Sequence, residues 1–204
     1  MEIKSIGLFS SVVMISQVDN SEELNVLLRE QSYKLKKASS GVEVGASNLG
    51  GWHSETDFFR RKEQCFIRLQ EQIIQFAQAA AIKVNSKLDL SLYNHEFNGW
   101  ININPPGTLN VPHDHPEFEM SGTYYVQTPK TSSLAQGALE FIDPKVNSAK
   151  STIYSVTGLN RSFKVSPREG QLICFPSYLR HWVYPNEANA DRISIAWNYR
   201  LSEK

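Results

Sequence analysis

The chain is poor in cysteine, has no long apolar run and carries no excess of either charge. Two cysteines are too few for a disulfide framework. Both Cys65 and Cys174 sit in apolar runs, QCFI and LICF, where an unpaired cysteine behaves as a small buried hydrophobe. A reducing, cytoplasmic setting is therefore expected. Nowhere do about 18 apolar residues run together, so no membrane-spanning helix is expected. The opening MEIKSIGLFSSVVMIS has a short apolar stretch but no compact basic region followed by a small-residue cleavage site, and no secretory leader is expected. The 21 basic residues balance the 21 acidic ones, which removes the electrostatic case for nucleic acid or a membrane surface as partner. Repeats and low-complexity linkers are also missing.

What is present fits one domain over 1–204, with 1–87 as helical support plus a first strand and 88–204 as a sheet core, since a chain of this length can bury one sizeable interior. Between Asn20 and Lys37, Leu24, Leu27, Leu28 and Leu35 recur at helical spacing, and Asn20 with Glu23 resembles a capping box. A second helical pattern runs from about Asp57 to Ala81, with Phe66, Leu69, Ile73, Phe76 and Ala80 on one stripe. From Leu88 onward the period shortens to about two in LDLSLYN, GWINI, SGTYYVQ, GALEFI, RSFKV, GQLICF, HWVY and RISIAWNY. Eight short strands behind a helical layer predict a mainly β (α+β) fold, a cupin-like jelly-roll or double-stranded β-helix with N-terminal helices packed on one sheet.

Two features carry chemistry. The first is histidine spacing: His113 and His115 in NVPHDHPEF, with His181 in FPSYLRHWVYP. Residues two apart on a strand share a face, so the pair can converge on one ion while Asp114 points away. Imidazole suits iron, zinc, copper or nickel, and a third histidine from a neighbouring strand completes one side of a coordination sphere. His53 and His95 have no comparable partner and read as structural. The second feature is the strand DRISIAWNY, on which Arg192, Ser194, Ala196 and Asn198 share one face. An arginine pointing into a barrel needs an anion, and its planar fork suits a carboxylate, with Ser194 adding a contact. The competing reading is an outward arginine paired with Asp191 or a loop carboxylate.

The stretches HDHP, SGTYYV, FIDP, GQLICFPSYLRHWVYPN and RISIAWN resemble, in order and spacing, the Fe(II)/2-oxoglutarate-dependent oxygenase superfamily, and more closely a bacterial and phage subgroup with an H-x-H…H motif. The resemblance implies a dioxygenase that hydroxylates a substrate while 2-oxoglutarate becomes succinate and carbon dioxide. It places Fe(II) on His113, His115 and His181, and the distal carboxylate of 2-oxoglutarate on Arg192 and Ser194. Strand parity adds Tyr125 to that carboxylate. Implied partners are dioxygen and a small-molecule or peptide substrate, with a homodimer left open. The superfamily's usual triad has a carboxylate in the second position; here that position is His115. Glu117 as ligand with His115, or Asp114 through a bulge, remain alternatives. So do a cupin-like three-histidine metalloprotein that does not use 2-oxoglutarate and a non-catalytic jelly-roll binding protein. Trp100, Tyr124, Trp182 and Tyr184 are possible pocket walls, and GGWHS around Trp52 a lid by analogy.

Overall fold

A computed structural model describes residues 10–41, 47–130, 135–144 and 162–204. Helix α1 (Ser21–Ala38) and helix α2 (Gln64–Val84) cover one side of the molecule. Leu24 and Leu28 of α1 are buried, while Leu27 is exposed. The expected capping box does not form. Asn20 adopts a left-handed conformation (φ 50°) and its side chain makes no capping bond. Ser21 is instead buried against Gly170, so tertiary docking sets where the helix begins. The second helix starts later than its apolar stripe suggests, because Phe58–Arg60 form a separate 3-10 turn before Gln64.

Eleven strands are described: β1 Met14–Gln17, β2 Asn48–Leu49, β3 Trp52–His53, β4 Tyr93–Asn104, β5 Leu109–His113, β6 Met120–Gln127, β7 Leu139–Ile142, β8 Ser162–Val165, β9 Gln171–Pro176, β10 His181–Val183 and β11 Arg192–Glu203. All named pairings are antiparallel. They build a larger sheet in the order β1-β9-β6-β11-β4-β3 and a smaller one in the order β2-β5-β10-β7-β8. The fold is the jelly-roll with a helical layer on one sheet. LDLSLYN and GWINI do not give two strands: Leu90–Leu92 form a 3-10 turn, capped by Asp89, and one strand of 12 residues runs from Tyr93 through Gly99. The unexpected β5, which contains Pro112, restores the count from residue 88 onward.

Alternation along the larger sheet makes two cores. One side of β6, β9 and β11 sends Tyr124, Val126, Leu172, Cys174, Ile193, Ile195 and Trp197 against Phe66, Leu69 and Ile73 of α2 and Leu24 and Leu28 of α1. The other side sends Tyr125, Ile173 and Phe175 against Leu139, Phe141 and Val183 of the smaller sheet. Runs such as YYV and LICF are apolar at every position because both of their faces are covered. Both cysteines are free and buried, and burial raises each thiol pKa, that of Cys174 to about 12. No helix among the described residues is long and apolar enough to cross a membrane.

Candidate active site

Between the sheets lies an open-mouthed cleft lined by residues of both. Strands β5 and β10 bring His113 and His181 directly opposite each other. His115 is not on a strand, because β5 ends at His113. A turn places it instead: its backbone N–H donates to the Ser177 carbonyl at 3.0 Å, and the Phe118 N–H closes back on the His115 carbonyl at 3.1 Å. One nitrogen from each of the three rings lies within 4.8 Å of the others. The rings contact one another, with centroids 4.3 Å apart for His113 and His181, 5.0 Å for His113 and His115, and 5.4 Å for His115 and His181.

The tautomers of two of these rings follow from their partners. Nδ1 of His113 meets the Val111 carbonyl at 2.7 Å, and Nδ1 of His181 meets the Leu179 carbonyl at 2.8 Å. A carbonyl only accepts, so both Nδ1 atoms carry the proton and both Nε2 atoms keep a lone pair. Burial lowers the pKa of all three rings, chiefly by desolvation, that of His115 to about 4 and that of His181 to about 3. At neutral pH this is a cluster of uncharged imidazoles.

The same cleft is lined by Arg192, Ser194 and Tyr125. Arg192 is 4 % exposed, its Nη1 donates to Ser194 Oγ at 3.0 Å and to Asn104 Oδ1 at 3.4 Å, and its Nε makes no hydrogen bond. The guanidinium carbon lies 5.1 Å from the centre of the Tyr125 ring, whose buried hydroxyl lacks a well-formed hydrogen bond. Among the described residues no carboxylate pairs with Arg192. Asp191, the outward partner weighed above, accepts from the Tyr33 hydroxyl at 3.0 Å instead. A buried cation without a counter-charge is expensive. Beside three neutral imidazoles, it makes a chamber suited to a divalent cation together with an anion.

Residues 98–198 match the family described as "Putative 2OG-Fe(II) oxygenase". This chain belongs to the 2OG-Fe(II) oxygenases. The enzymes of this family use Fe(II) and 2-oxoglutarate, and the oxygenase has a histidine triad and a buried arginine in one cleft. Solved structures share the fold at low identity. A prolyl-4-hydroxylase from Pseudomonas putida is 16 % identical with a TM-score of 0.65, covering 92 % of this chain and 91 % of its own. A prolyl hydroxylase from Trichoplax adhaerens, in complex with a hypoxia inducible factor peptide fragment, is 15 % identical with a TM-score of 0.58, covering 92 % and 83 %. The carbocyclase SnoK from nogalamycin biosynthesis is 10 % identical with a TM-score of 0.62, covering 94 % and 81 %. No curated protein matches the oxygenase in sequence.

Other expected residues are placed differently. Glu117 and Asp114 are exposed and lie outside the cluster of three histidines. Of the aromatics, Trp100 lines the cleft, its ring 5.9 Å from His115. Tyr124 faces the helices and donates to Asn25 Oδ1 at 2.7 Å, since its parity is opposite to that of Tyr125. Trp182 and Tyr184 stack on each other away from the cleft, and Trp182 donates to Glu140 at 2.6 Å. The GGWHS stretch is a docked corner and not an open lid: Trp52 is buried, its indole donates to the Ser39 carbonyl at 3.1 Å, and β3 pairs with β4. His53 stacks on Trp100 at 5.3 Å, and His95 bonds the Tyr199 hydroxyl at 2.8 Å. Sequence reasoning missed the amides Asn102 and Asn110, which line the cleft. Their signal was available for β4, where polar residues alternate with isoleucine in WININ although the strand is buried.

Proposed function

We propose that this oxygenase hydroxylates a C–H bond of a small-molecule or peptide substrate, with Fe(II) held by His113, His115 and His181 and the distal carboxylate of 2-oxoglutarate held by Arg192, Ser194 and Tyr125. The observation that carries the reading is the buried, unpaired Arg192 in the same cleft as three neutral imidazoles. Iron with 2-oxoglutarate, when bound, supplies the activation of dioxygen that puts one oxygen atom into the substrate and the other into succinate, with release of carbon dioxide.

The protein's part is binding, orientation and exclusion of water. Low pKa values keep the imidazoles uncharged at neutral pH, and the Val111 and Leu179 carbonyls hold two of the rings by their Nδ1–H groups, leaving the Nε2 lone pairs of those two free. The Arg192 fork and the Ser194 and Tyr125 hydroxyls offer donors to a carboxylate, whose charge relieves the cost of burying the guanidinium. Leu139, Phe175 and Val183 supply apolar wall on the smaller-sheet side and in β9, and limit water around the reacting centre. Three neutral ligands leave the cation's double charge uncompensated until the dianionic co-substrate binds, which favours binding in that order.

Anaerobic iron loading followed by air should give succinate from 2-oxoglutarate slowly, and faster when a true substrate is added. Metal binding without any consumption or binding of 2-oxoglutarate would support the three-histidine metalloprotein instead. Failure to hold metal at all would support a binding protein without catalysis.

A further inference from the structure

The amide side chains behind Arg192 form a chain with a fixed direction. Nδ2 of Asn48 donates to the Trp52 carbonyl at 3.2 Å and to Asn102 Oδ1 at 3.3 Å. A backbone carbonyl can only accept, so the Asn48 amide is turned with Oδ1 on its other side. That oxygen accepts from Asn104 Nδ2 at 2.9 Å, and the same Nδ2 has a longer contact of 3.5 Å to Asn110 Oδ1. With its nitrogen so committed, Asn104 presents Oδ1 to Arg192. A guanidinium can only donate. Both ends of the chain therefore impose the same polarity on the two amides between them. Asn104 is 1 % exposed, so bulk water does not compete for these bonds in the folded protein.

Asn48 is fixed from behind as well. A Cβ on Gly51 would sit 2.2 Å from Asn48 Oδ1, so a side chain there would push the Asn48 amide out of its place. Strand β2 belongs to the smaller sheet and β3 to the larger, which makes 48–53 the corner where the chain changes sheets. Asn48 ties that corner to β4 beside the cleft.

Resting on the reading of the cleft proposed above, we infer that Asn48 and Asn104 are positioning residues for Arg192, which hold its fork toward the co-substrate carboxylate and couple docking of the 48–53 corner to 2-oxoglutarate binding. Without Asn48, the Asn104 amide can rotate and turn its NH2 toward the guanidinium. The cation then keeps Ser194 Oγ but loses the second of its two acceptors, and its fork is held from one side only.

Calorimetry of the Mn(II)-loaded full chain with 2-oxoglutarate tests this. Asn48→Ala should weaken 2-oxoglutarate binding about tenfold, the scale of one hydrogen bond in a charged network, and leave Mn(II) affinity unchanged. Gly51→Ala, which displaces the Asn48 amide without altering the cleft lining, should act in the same sense. Asn104→Asp gives Arg192 an internal carboxylate and should weaken co-substrate binding most. Adding 2-oxoglutarate should slow amide exchange at 48–53 in the parent protein but not in Asn48→Ala. Equal 2-oxoglutarate affinity in parent and Asn48→Ala overturns the inference, and so does parallel loss of Mn(II) affinity, which marks a merely structural role. Should Asn48→Ala not fold, Gly51→Ala carries the same comparison. A parent protein that binds Mn(II) but not 2-oxoglutarate overturns the underlying reading of the cleft and is seen before any variant is made.

Discussion

Arg192 and the three histidines depend on opposite electrostatic conditions, and each condition can be tested with one substitution. Arg192→Ala removes the only buried cation among the described residues of the cleft. It should weaken 2-oxoglutarate binding by more than the roughly hundredfold that a charge-assisted bond supplies, with metal binding retained, as read by calorimetry. The imidazoles respond to pH. Their folded-state pKa values lie below the unfolded value of about 6.5, at about 4 for His115 and about 3 for His181. Below pH 6.5 the unfolded chain takes up protons that the folded, metal-free protein refuses. Stability present above that pH is therefore lost as pH falls toward 3 to 4. Thermal unfolding of metal-free protein should show this loss, and His181→Asn should reduce it; identical pH profiles would contradict the assignment. His115 differs from its neighbours because, among the described residues, ring contacts and not a hydrogen bond from Nδ1 orient it. His115→Asp restores the carboxylate pattern common in the superfamily and should keep the metal. His181→Ala should cost more than the 10- to 100-fold typical of losing an outer partner. Equilibrium dialysis against Mn(II) separates the two outcomes.

At the scale of elements, the sequence was informative wherever one face of a strand or helix is buried. The α2 stripe and the parity of β11 are legible for that reason: Ile193, Ile195 and Trp197 must meet the helices, so Arg192, Ser194 and Ala196 must face the cleft. Parity served less well for His115, whose position comes from a turn bonded to Ser177. Strands β2 and β3, two residues each, are too short to show a period, and the amide chain from Asn48 to Arg192 joins residues whose spacing in sequence carries no signal. Another element-scale constraint sits in β6. A Cβ on Gly122 would lie 2.1 Å from the Trp197 indole and 2.3 Å from the Ile173 carbonyl, both buried. Gly122→Ala should therefore destabilise by at least the roughly 1–3 kcal/mol of an overpacked core. Leu69→Ala, which empties the α2 side of the same core, should cost about 2–5 kcal/mol. Denaturant unfolding measures both, and a change under about 0.5 kcal/mol, as at an ordinary surface site, would contradict the packing described.

At the scale of the whole molecule, the jelly-roll supplies two cores and a cleft, and the division of labour between its sheets is what makes the site. The larger sheet carries Arg192 and Ser194 on β11 and Tyr125 on β6, stiffened from behind by both helices. The smaller sheet brings His113 and His181 together across β5 and β10. Relatives of this fold include prolyl hydroxylases and a carbocyclase, so the architecture alone leaves the substrate open. The account therefore stands on the joint occupation of one cleft by a metal and a dicarboxylate. A crystal structure of the protein grown anaerobically with Mn(II) and 2-oxoglutarate tests that most directly. The account predicts metal bonded to His113, His115 and His181, with the far carboxylate of 2-oxoglutarate on Arg192 and Ser194. Metal on Glu117 or Asp114, or a cleft in which Arg192 contacts no ligand, would contradict it.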